Sequence, residues 1–171
     1  FMPCASPDGL GDLLARGLER IGTEPLLYGM VGALSDVLPR FRAERPQVLV
    51  GMPWQIRLLA LAAPEVRPRV VLLSADFVPE SLYALLGERW GCETLSHYGM
   101  TETGLGGAVE SFAHNGLLLR RDELYAEIID PGSGRVLPPG ETGEIVLTTL
   151  RREAMPLFRY RTGDMGRLTA D

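Results

Sequence analysis

The 171-residue sequence predicts an α/β fold: a parallel sheet flanked by helices, followed by a small antiparallel β-barrel-like portion. Three observations carry this reading. Through about residue 107, short apolar runs alternate with amphipathic stretches, the grammar of a parallel sheet covered on both faces. Arg69 to Leu73 (RVVLL) is the clearest buried strand among those runs. After Gly107 the grammar changes: Leu124 to Asp130 (LYAEIID) and Glu144 to Leu150 (EIVLTTL) flank the turn clusters Asp130–Gly134 and Pro138–Gly143, as antiparallel hairpins do. A boundary near residue 107 therefore separates an α/β portion, 1–107, from a β portion, 108–171.

Taken in order, Asp8 is placed to cap a helix in which Leu10, Leu13, Leu14, Leu18 and Ile21 share a face. Pro25 to Tyr28 is a short strand candidate. Ser35 is placed to cap a second helix, with Leu34, Val37, Leu38 and Phe41 inward, that ends before Pro46. Gln47 to Val50 is the next apolar run, and a helix follows from about Pro53 to Leu61. After Arg69 to Leu73, Pro79 opens a helix whose Leu82, Leu85, Leu86 and Trp90 share a face. Glu93 to Ser96 is a further strand.

Composition narrows the chemistry. The formal charge is −5, which argues against a nucleic-acid partner or an anionic membrane. No apolar run approaches the length of a membrane helix, and no basic segment followed by an apolar run opens the chain. Two cysteines, Cys4 and Cys92, make no disulfide framework and fit free thiols in a reducing cytoplasm. With His97 and His114 they form no familiar zinc spacing. All 17 basic residues are arginine. The absence of lysine excludes a Walker phosphate loop and Schiff-base chemistry.

Three segments have the composition of a ligand site. His97-Tyr98-Gly99-Met100-Thr101-Glu102-Thr103-Gly104 follows a strand and leads into the glycine-rich turn Gly104-Leu-Gly-Gly107. Ligands gather at the carboxyl ends of strands in open parallel sheets. There Tyr98 can stack on a base, Thr101 can bond a phosphate and Glu102 can offer oxygen to Mg²⁺. Ser74-Ala75-Asp76 follows the best strand, with side chains small enough for a flat ligand to approach the backbone. Tyr160-Arg161-Thr162-Gly163-Asp164 sets a carboxylate on a tight Thr-Gly turn, where it can accept from two ribose hydroxyls. Each segment alone also fits an ordinary turn.

In order and spacing, however, the three segments resemble the adenylate-forming superfamily of acyl- and aryl-CoA synthetases, luciferases and peptide-synthetase adenylation domains. Tyr98-Gly-Met-Thr-Glu102 is similar to its nucleotide-binding loop and Tyr160-Arg-Thr-Gly-Asp164 to its ribose-binding loop. Gly140-Glu-Thr-Gly-Glu144-Ile-Val resembles its structural turn. Tyr125-Ala-Glu-Ile-Ile-Asp-Pro131 and Ala154-Met-Pro-Leu-Phe-Arg-Tyr-Arg-Thr-Gly-Asp164 read like the phenylacetate–CoA ligase branch. The resemblance implies that the chain is part of the N-terminal domain of an AMP-forming ligase. Such an enzyme activates a carboxylic acid, aryl in this branch, with ATP and Mg²⁺ and passes it to coenzyme A. Transfer to a carrier protein, or a non-catalytic adenine-nucleotide or assembly module, stays open at this point.

Carried over residue by residue, the resemblance implies that Ser74, Ala75 and Asp76 border the adenine and that Tyr98, within the loop that includes Gly99 and Met100, stacks on it. Thr101 would contact the AMP phosphate, Glu102 would hold Mg²⁺ and Asp164 the ribose. His97 would lie near the reacting carboxylate, with Gly104, Gly106 and Gly107 walling the acyl pocket. The family usually has Gly where this chain has Ser74. Its lysine-bearing phosphate loop and C-terminal domain have no counterpart here. The isolated chain is therefore expected to be an inactive fragment with exposed apolar surface, able to form a homodimer through that face.

Overall fold

The computed structural model describes residues 1–4, 6–104 and 106–169, which group into two compact units. The first comprises Phe1–Gly99 with Ala108–Leu118, the second Met100–Gly107 with the residues from Leu119 on. In chain order the first unit contains α1 (Leu10–Arg20), α2 (Leu34–Glu44), β1 (Val48–Gly51), α3 (Pro53–Ala62), β2 (Val70–Leu73), α4 (Glu80–Trp90), β3 (Glu93–Tyr98) and β4 (Ala108–Glu110). β5 (Leu117–Leu119) completes its sheet, whose order is β1-β2-β3-β4-β5.

β1, β2 and β3 are parallel, with Leu49 opposite Val71 and Val71 opposite Thr94. β4 then pairs antiparallel with β3, so the sheet is mixed and reaches past Gly107. Period-two side-chain direction sorts these strands. Leu49, Val71 and Leu73 are buried in one core with Phe41 of α2, Ile56 and Leu59 of α3 and Leu86 and Trp90 of α4. On the opposite face Val50, Val70 and Leu72 are half-buried and Val48 is exposed. Complete burial of a side chain such as Leu59 contributes about 1.5–3 kcal/mol, and that apolar face fixes the register. The Trp90 indole nitrogen donates to the Ala63 carbonyl at 3.0 Å, so its one polar atom is satisfied.

Several sequence expectations are corrected locally. Asp8 does not cap α1. It has a left-handed φ of 59°, and Gly9 is the N-cap. The Asp8 amide donates instead to Asp12 Oδ2, and its carboxylate pairs with Arg16. Ser35 lies inside α2, which is capped by Ala33, and its hydroxyl bonds Asp36. Pro25–Tyr28 belongs to no strand. The reason is a missing partner: strand ladders need a neighbour, and none of the described strands pairs with this segment.

The second unit carries a short 3₁₀ turn, Thr101–Thr103, and a three-stranded antiparallel sheet of β6 (Leu124–Ile129), β7 (Gly143–Thr149) and β8 (Tyr160–Gly166). Ile128 pairs with Ile145 across β6 and β7, and Leu124, Ile128, Ile129, Val146 and Leu147 are buried. The turn after β6 forms as its residues dictate. Asp130 Oδ1 accepts from the Ser133 amide at 2.7 Å, and the Gly134 amide reaches the Asp130 carbonyl at 2.8 Å. Gly143 has no room for a Cβ, which would stand inside contact distance of the Ile129 carbonyl oxygen. No helix of the described residues is long and apolar enough to cross a membrane. Cys4 and Cys92 are unpaired thiols.

One terminal group gives a pH prediction. The Phe1 ammonium is pushed down by burial to about 6 and donates to the Val50 carbonyl at 2.7 Å. The unfolded chain therefore binds more protons than the folded one between about pH 6 and its ordinary value of 8.0. Folding stability should rise with pH across that window and be lowest below it. Acetylating the Phe1 nitrogen removes the titration, so the difference between acetylated and free chains in urea melts at about pH 5.5 and about pH 8.5 isolates it. An equal pH response in both chains would contradict the burial.

Candidate functional site

In the first unit, the parallel pairing of β2 with β3 puts Leu73 opposite Ser96, so the residues just past both strand ends emerge side by side. Ser74 Oγ and His97 Nδ1 are 2.9 Å apart. Burial lowers the His97 pKa below its ordinary value, so the neutral imidazole meets the hydroxyl near pH 7. Ser96 is anchored from the β4 side, where the Glu110 carboxylate accepts its amide at 2.8 Å and its hydroxyl at 3.0 Å. Tyr83 of α4 donates to the same oxygen at 3.0 Å. These bonds hold the end of β3, and with it His97 and Tyr98, against α4.

Ala75 is exposed and has φ 68°, a left-handed conformation that costs an L-residue roughly 1–2 kcal/mol. Asp76 is exposed too, and its Oδ1 accepts the Phe77 amide at 2.8 Å. No residue type in Ser74-Ala75-Asp76 announces the left-handed turn at Ala75. Strain of this kind collects at ligand-binding turns.

In the second unit, Met100–Gly104 folds as a self-bonded turn. Thr103 is buried; its hydroxyl accepts the Met100 amide at 3.1 Å and donates to the Met100 carbonyl at 2.9 Å. Gly104 takes φ 71°, which glycine adopts without strain. A Cβ there would also meet the Arg152 guanidinium at 2.7 Å. The locked turn leaves Thr101 exposed and Glu102 half-buried. Gly106 offers its carbonyl to Arg120 Nη1 at 3.3 Å, and Gly107 is buried. Leu105, between them in the glycine-rich turn, lies outside the described residues.

Glu102 Oε1 accepts the Tyr160 hydroxyl at 3.3 Å, across 58 positions of sequence. The nearby Glu102 charge raises the Tyr160 pKa, so the phenol remains a donor. By sequence Tyr160 is only part of its motif; no local pattern announces its bond to Glu102. Asp164 also departs from expectation. It sits not on a tight turn but in β8, at a bulge where Val146 pairs with Arg161 and Glu144 with Met165. Gly163 takes φ 78° at the bulge, and Thr162 Oγ1 donates to the Ile145 carbonyl at 2.8 Å and accepts the Asp164 amide at 3.0 Å. Asp164 is exposed.

Beneath the bulge, Glu144 is 5% exposed and binds both sides of it. Its Oε2 accepts Arg161 Nε at 2.9 Å and is also bonded by Arg161 Nη2, while its Oε1 accepts the Gly163 amide at 3.2 Å. The Arg161 bond holds the Glu144 carboxyl below its usual range. The motif read as a structural turn thus supplies the carboxylate that shapes the bulge carrying Asp164.

Among the described residues no three His, Cys, Asp or Glu side chains cluster as a metal cage. A single half-buried carboxylate such as Glu102 still fits Mg²⁺, which binds through one or two carboxylates plus substrate phosphates and water.

A family model described as AMP-binding enzyme matches residues 31–150. The phenylacetate–coenzyme A ligase of Pseudomonas putida is 32% identical over 160 residues, covering 89% of this chain and 36% of that protein. The enzyme of the same name from Aromatoleum evansii is 34% identical with the same coverage. The chain therefore spans little more than a third of the length of these relatives, 36%. Among solved structures, an open conformation of 2-hydroxyisobutyryl-CoA ligase in complex with 2-HIB-AMP and CoA matches with a TM-score of 0.83. It covers 99% of this chain and 43% of that one at 21% identity, a likeness of fold. The family match spans β1 through β7 and includes the Tyr98–Glu102 segment and Glu144, so the chain belongs to the AMP-binding enzyme family.

Proposed function

We propose that this chain is the adenylate-binding part of an AMP-forming acid–CoA ligase that activates an aryl acid. The observation that carries the reading is the Tyr160–Glu102 hydrogen bond, which ties the loop proposed for phosphate and metal to the strand proposed for ribose. The 32% and 34% identity to phenylacetate–coenzyme A ligases supports the acid class.

The reaction proposed is attack of a carboxylate oxygen on the α-phosphorus of ATP, with cleavage of the bond to pyrophosphate. The coenzyme A thiol then attacks the acyl carbon and AMP departs. Orientation and charge neutralisation at the α-phosphate are the protein's contribution. In the first unit, Ser74, Ala75 and Asp76 border the adenine and Tyr98 stacks on it, while His97, oriented by Ser74, lies near the acid. In the second, Thr101 contacts the phosphate and Glu102 holds Mg²⁺. Asp164 binds the ribose hydroxyls, and Gly104, Gly106 and Gly107 line the acyl pocket. Mg²⁺, when bound, neutralises phosphate charge.

The test is product analysis of a longer protein carrying this chain, supplied with ATP, Mg²⁺, coenzyme A and phenylacetate. Acyl-CoA with stoichiometric AMP and pyrophosphate is expected; ADP in place of AMP would refute the reading. The 171-residue chain by itself has no lysine to bridge carboxylate and phosphate, so it should give no acid-dependent pyrophosphate exchange. Turnover by that polypeptide alone would contradict this assignment of roles.

A further inference from the structure

We propose that Glu110 is a positioning residue for the end of β3 that carries His97 and Tyr98, and that a protonated His114, held between Glu110 and Glu93, keeps Glu110 in place. All of these residues lie in the first unit. The register puts Val109 opposite His97 and Ala108 opposite Tyr98, so Glu110 continues β4 beside Ser96. Its Oε2 gathers three donors there: the Ser96 amide at 2.8 Å, the Ser96 hydroxyl at 3.0 Å and the Tyr83 hydroxyl at 3.0 Å. Burial opposes a charge on the Glu110 side chain, which is 12% exposed. The bonds from His114, Ser96 and Tyr83 outweigh it and hold the carboxyl below its usual range.

The other oxygen, Oε1, faces His114 Nδ1 at 2.9 Å, and His114 Nε2 stands 2.6 Å from Glu93 Oε1 at the start of β3. A neutral imidazole has one N–H donor and one bare nitrogen, so only the imidazolium can donate to both carboxylates at once. Losing the proton sets a nitrogen lone pair against one of the two carboxylate oxygens. His114 reaches this place by a turn after β4, where its amide donates to the Ser111 carbonyl at 3.0 Å. Its φ there is 50°, a left-handed backbone whose strain the two carboxylate contacts offset.

Glu93 from β3, Glu110 from β4 and Tyr83 from α4 are the titratable groups that meet this cluster. Among the described residues no arginine pairs with either carboxylate. The bond to Glu110, and after it the bond to Glu93, raises the His114 pKa above its ordinary value of 6.5. The clamp is therefore complete at pH 6.5 and below, and it is lost as pH rises through the raised value. His97, the other of the two histidines, moves the opposite way because burial lowers its pKa. The two titrations thus separate along the pH axis. Release of Glu110 loosens Ser96 and, with it, the adjoining His97 and Tyr98. Above the His114 titration ATP should then bind less tightly than below it, a step that rests on the adenine contact proposed for Tyr98.

Two-dimensional NMR of the 171-residue chain tests the clamp. The Ser96 amide resonance should titrate with the midpoint of the His114 ring and not with that of His97. Glu93→Gln removes one carboxylate that His114 faces and leaves the Ser96 bonds intact, so both midpoints should fall together, by about half a pH unit or more. His114→Asn places a residue at ease with a left-handed φ there and should abolish the Ser96 step. An unmoved Val71 amide reports that each variant is folded. A Ser96 amide that follows His97, or midpoints of Ser96 and His114 that do not move together in Glu93→Gln, would overturn the proposal. In a longer ligase carrying this chain, the KM for ATP of His114→Asn is divided by that of the parent, which cancels the titration of ATP itself. The ratio should be roughly two- to tenfold at about pH 6, the span of one lost hydrogen bond, and near one at about pH 9. A ratio independent of pH in an enzyme that forms acyl-adenylate would overturn the positioning role and leave the proposed function standing. Failure to form acyl-adenylate would instead overturn the proposed function, and the Ser96 titration would still decide the clamp.

Discussion

Replacing Glu102 with glutamine in a longer ligase carrying this chain should lower the adenylation kcat by about a hundredfold, roughly 2.7 kcal/mol of transition-state stabilisation. Glutamine keeps the shape and one acceptor oxygen for the Tyr160 hydroxyl, 3.3 Å from Glu102 Oε1. The loop fold rests on Thr103 and the Met100 backbone rather than on the Glu102 side chain. What the substitution removes is charge. A carboxylate that holds Mg²⁺ on phosphate oxygens matters most as charge moves toward pyrophosphate, so the loss should fall on kcat and higher Mg²⁺ should be needed for half-maximal rate. Tyr160→Phe is the companion variant. It keeps the Glu102 charge and removes only a hydrogen bond, so its effect should be several times smaller. Glu102→Gln with unchanged kcat and unchanged Mg²⁺ dependence would remove Glu102 from the chemistry.

Asp164→Ala in the same enzyme should raise the KM for ATP ten- to a hundredfold while kcat changes little. Hydrogen bonds to a charged acceptor contribute about 1.5–3 kcal/mol, and a ribose bond is made equally in ground and transition states. The bulge should survive, because Glu144 holds it through Arg161 and the Gly163 amide rather than through the Asp164 side chain. Glu144→Gln should reproduce the KM rise in weaker form and also lower stability, since it weakens the buried carboxylate's grip on Arg161. Titration of ATP, with folded fraction measured by circular dichroism, separates these cases. A lost folded fraction with normal KM in Asp164→Ala would make it a turn former only.

Much of this architecture was legible because local and tertiary demands coincide. The apolar runs at β1, β2 and β3 are both strand formers and core suppliers. Leu124–Ile129 and Gly143–Thr149 declare themselves by the turn residues between them. Elements were misread where a distant partner decides. Pro25–Tyr28 has strand composition but no neighbour, and β4 looks separate by sequence yet pairs with β3. Helix starts shifted by a residue or so because Asp8 and Ser35 found other bonds. At the candidate site, motif order located the loops, while the bulge at Gly163, the left-handed Ala75 and the Tyr160–Glu102 bond depend on contacts that no short window of sequence contains.

Both tryptophans, Trp54 and Trp90, fall in the first unit, and they differ in setting: Trp90 is 4% exposed and Trp54 42%. The Trp90 ring centroid also lies 6.3 Å from that of Phe41, which itself meets Phe1 and Tyr28 edge-on. Intrinsic fluorescence therefore watches one unit from inside its core and from its surface, and the sheet of β6, β7 and β8 is dark at tryptophan wavelengths. Emission and far-ultraviolet ellipticity consequently weigh different parts of the molecule. Where their melting curves separate, the gap between them measures how independently the two units unfold.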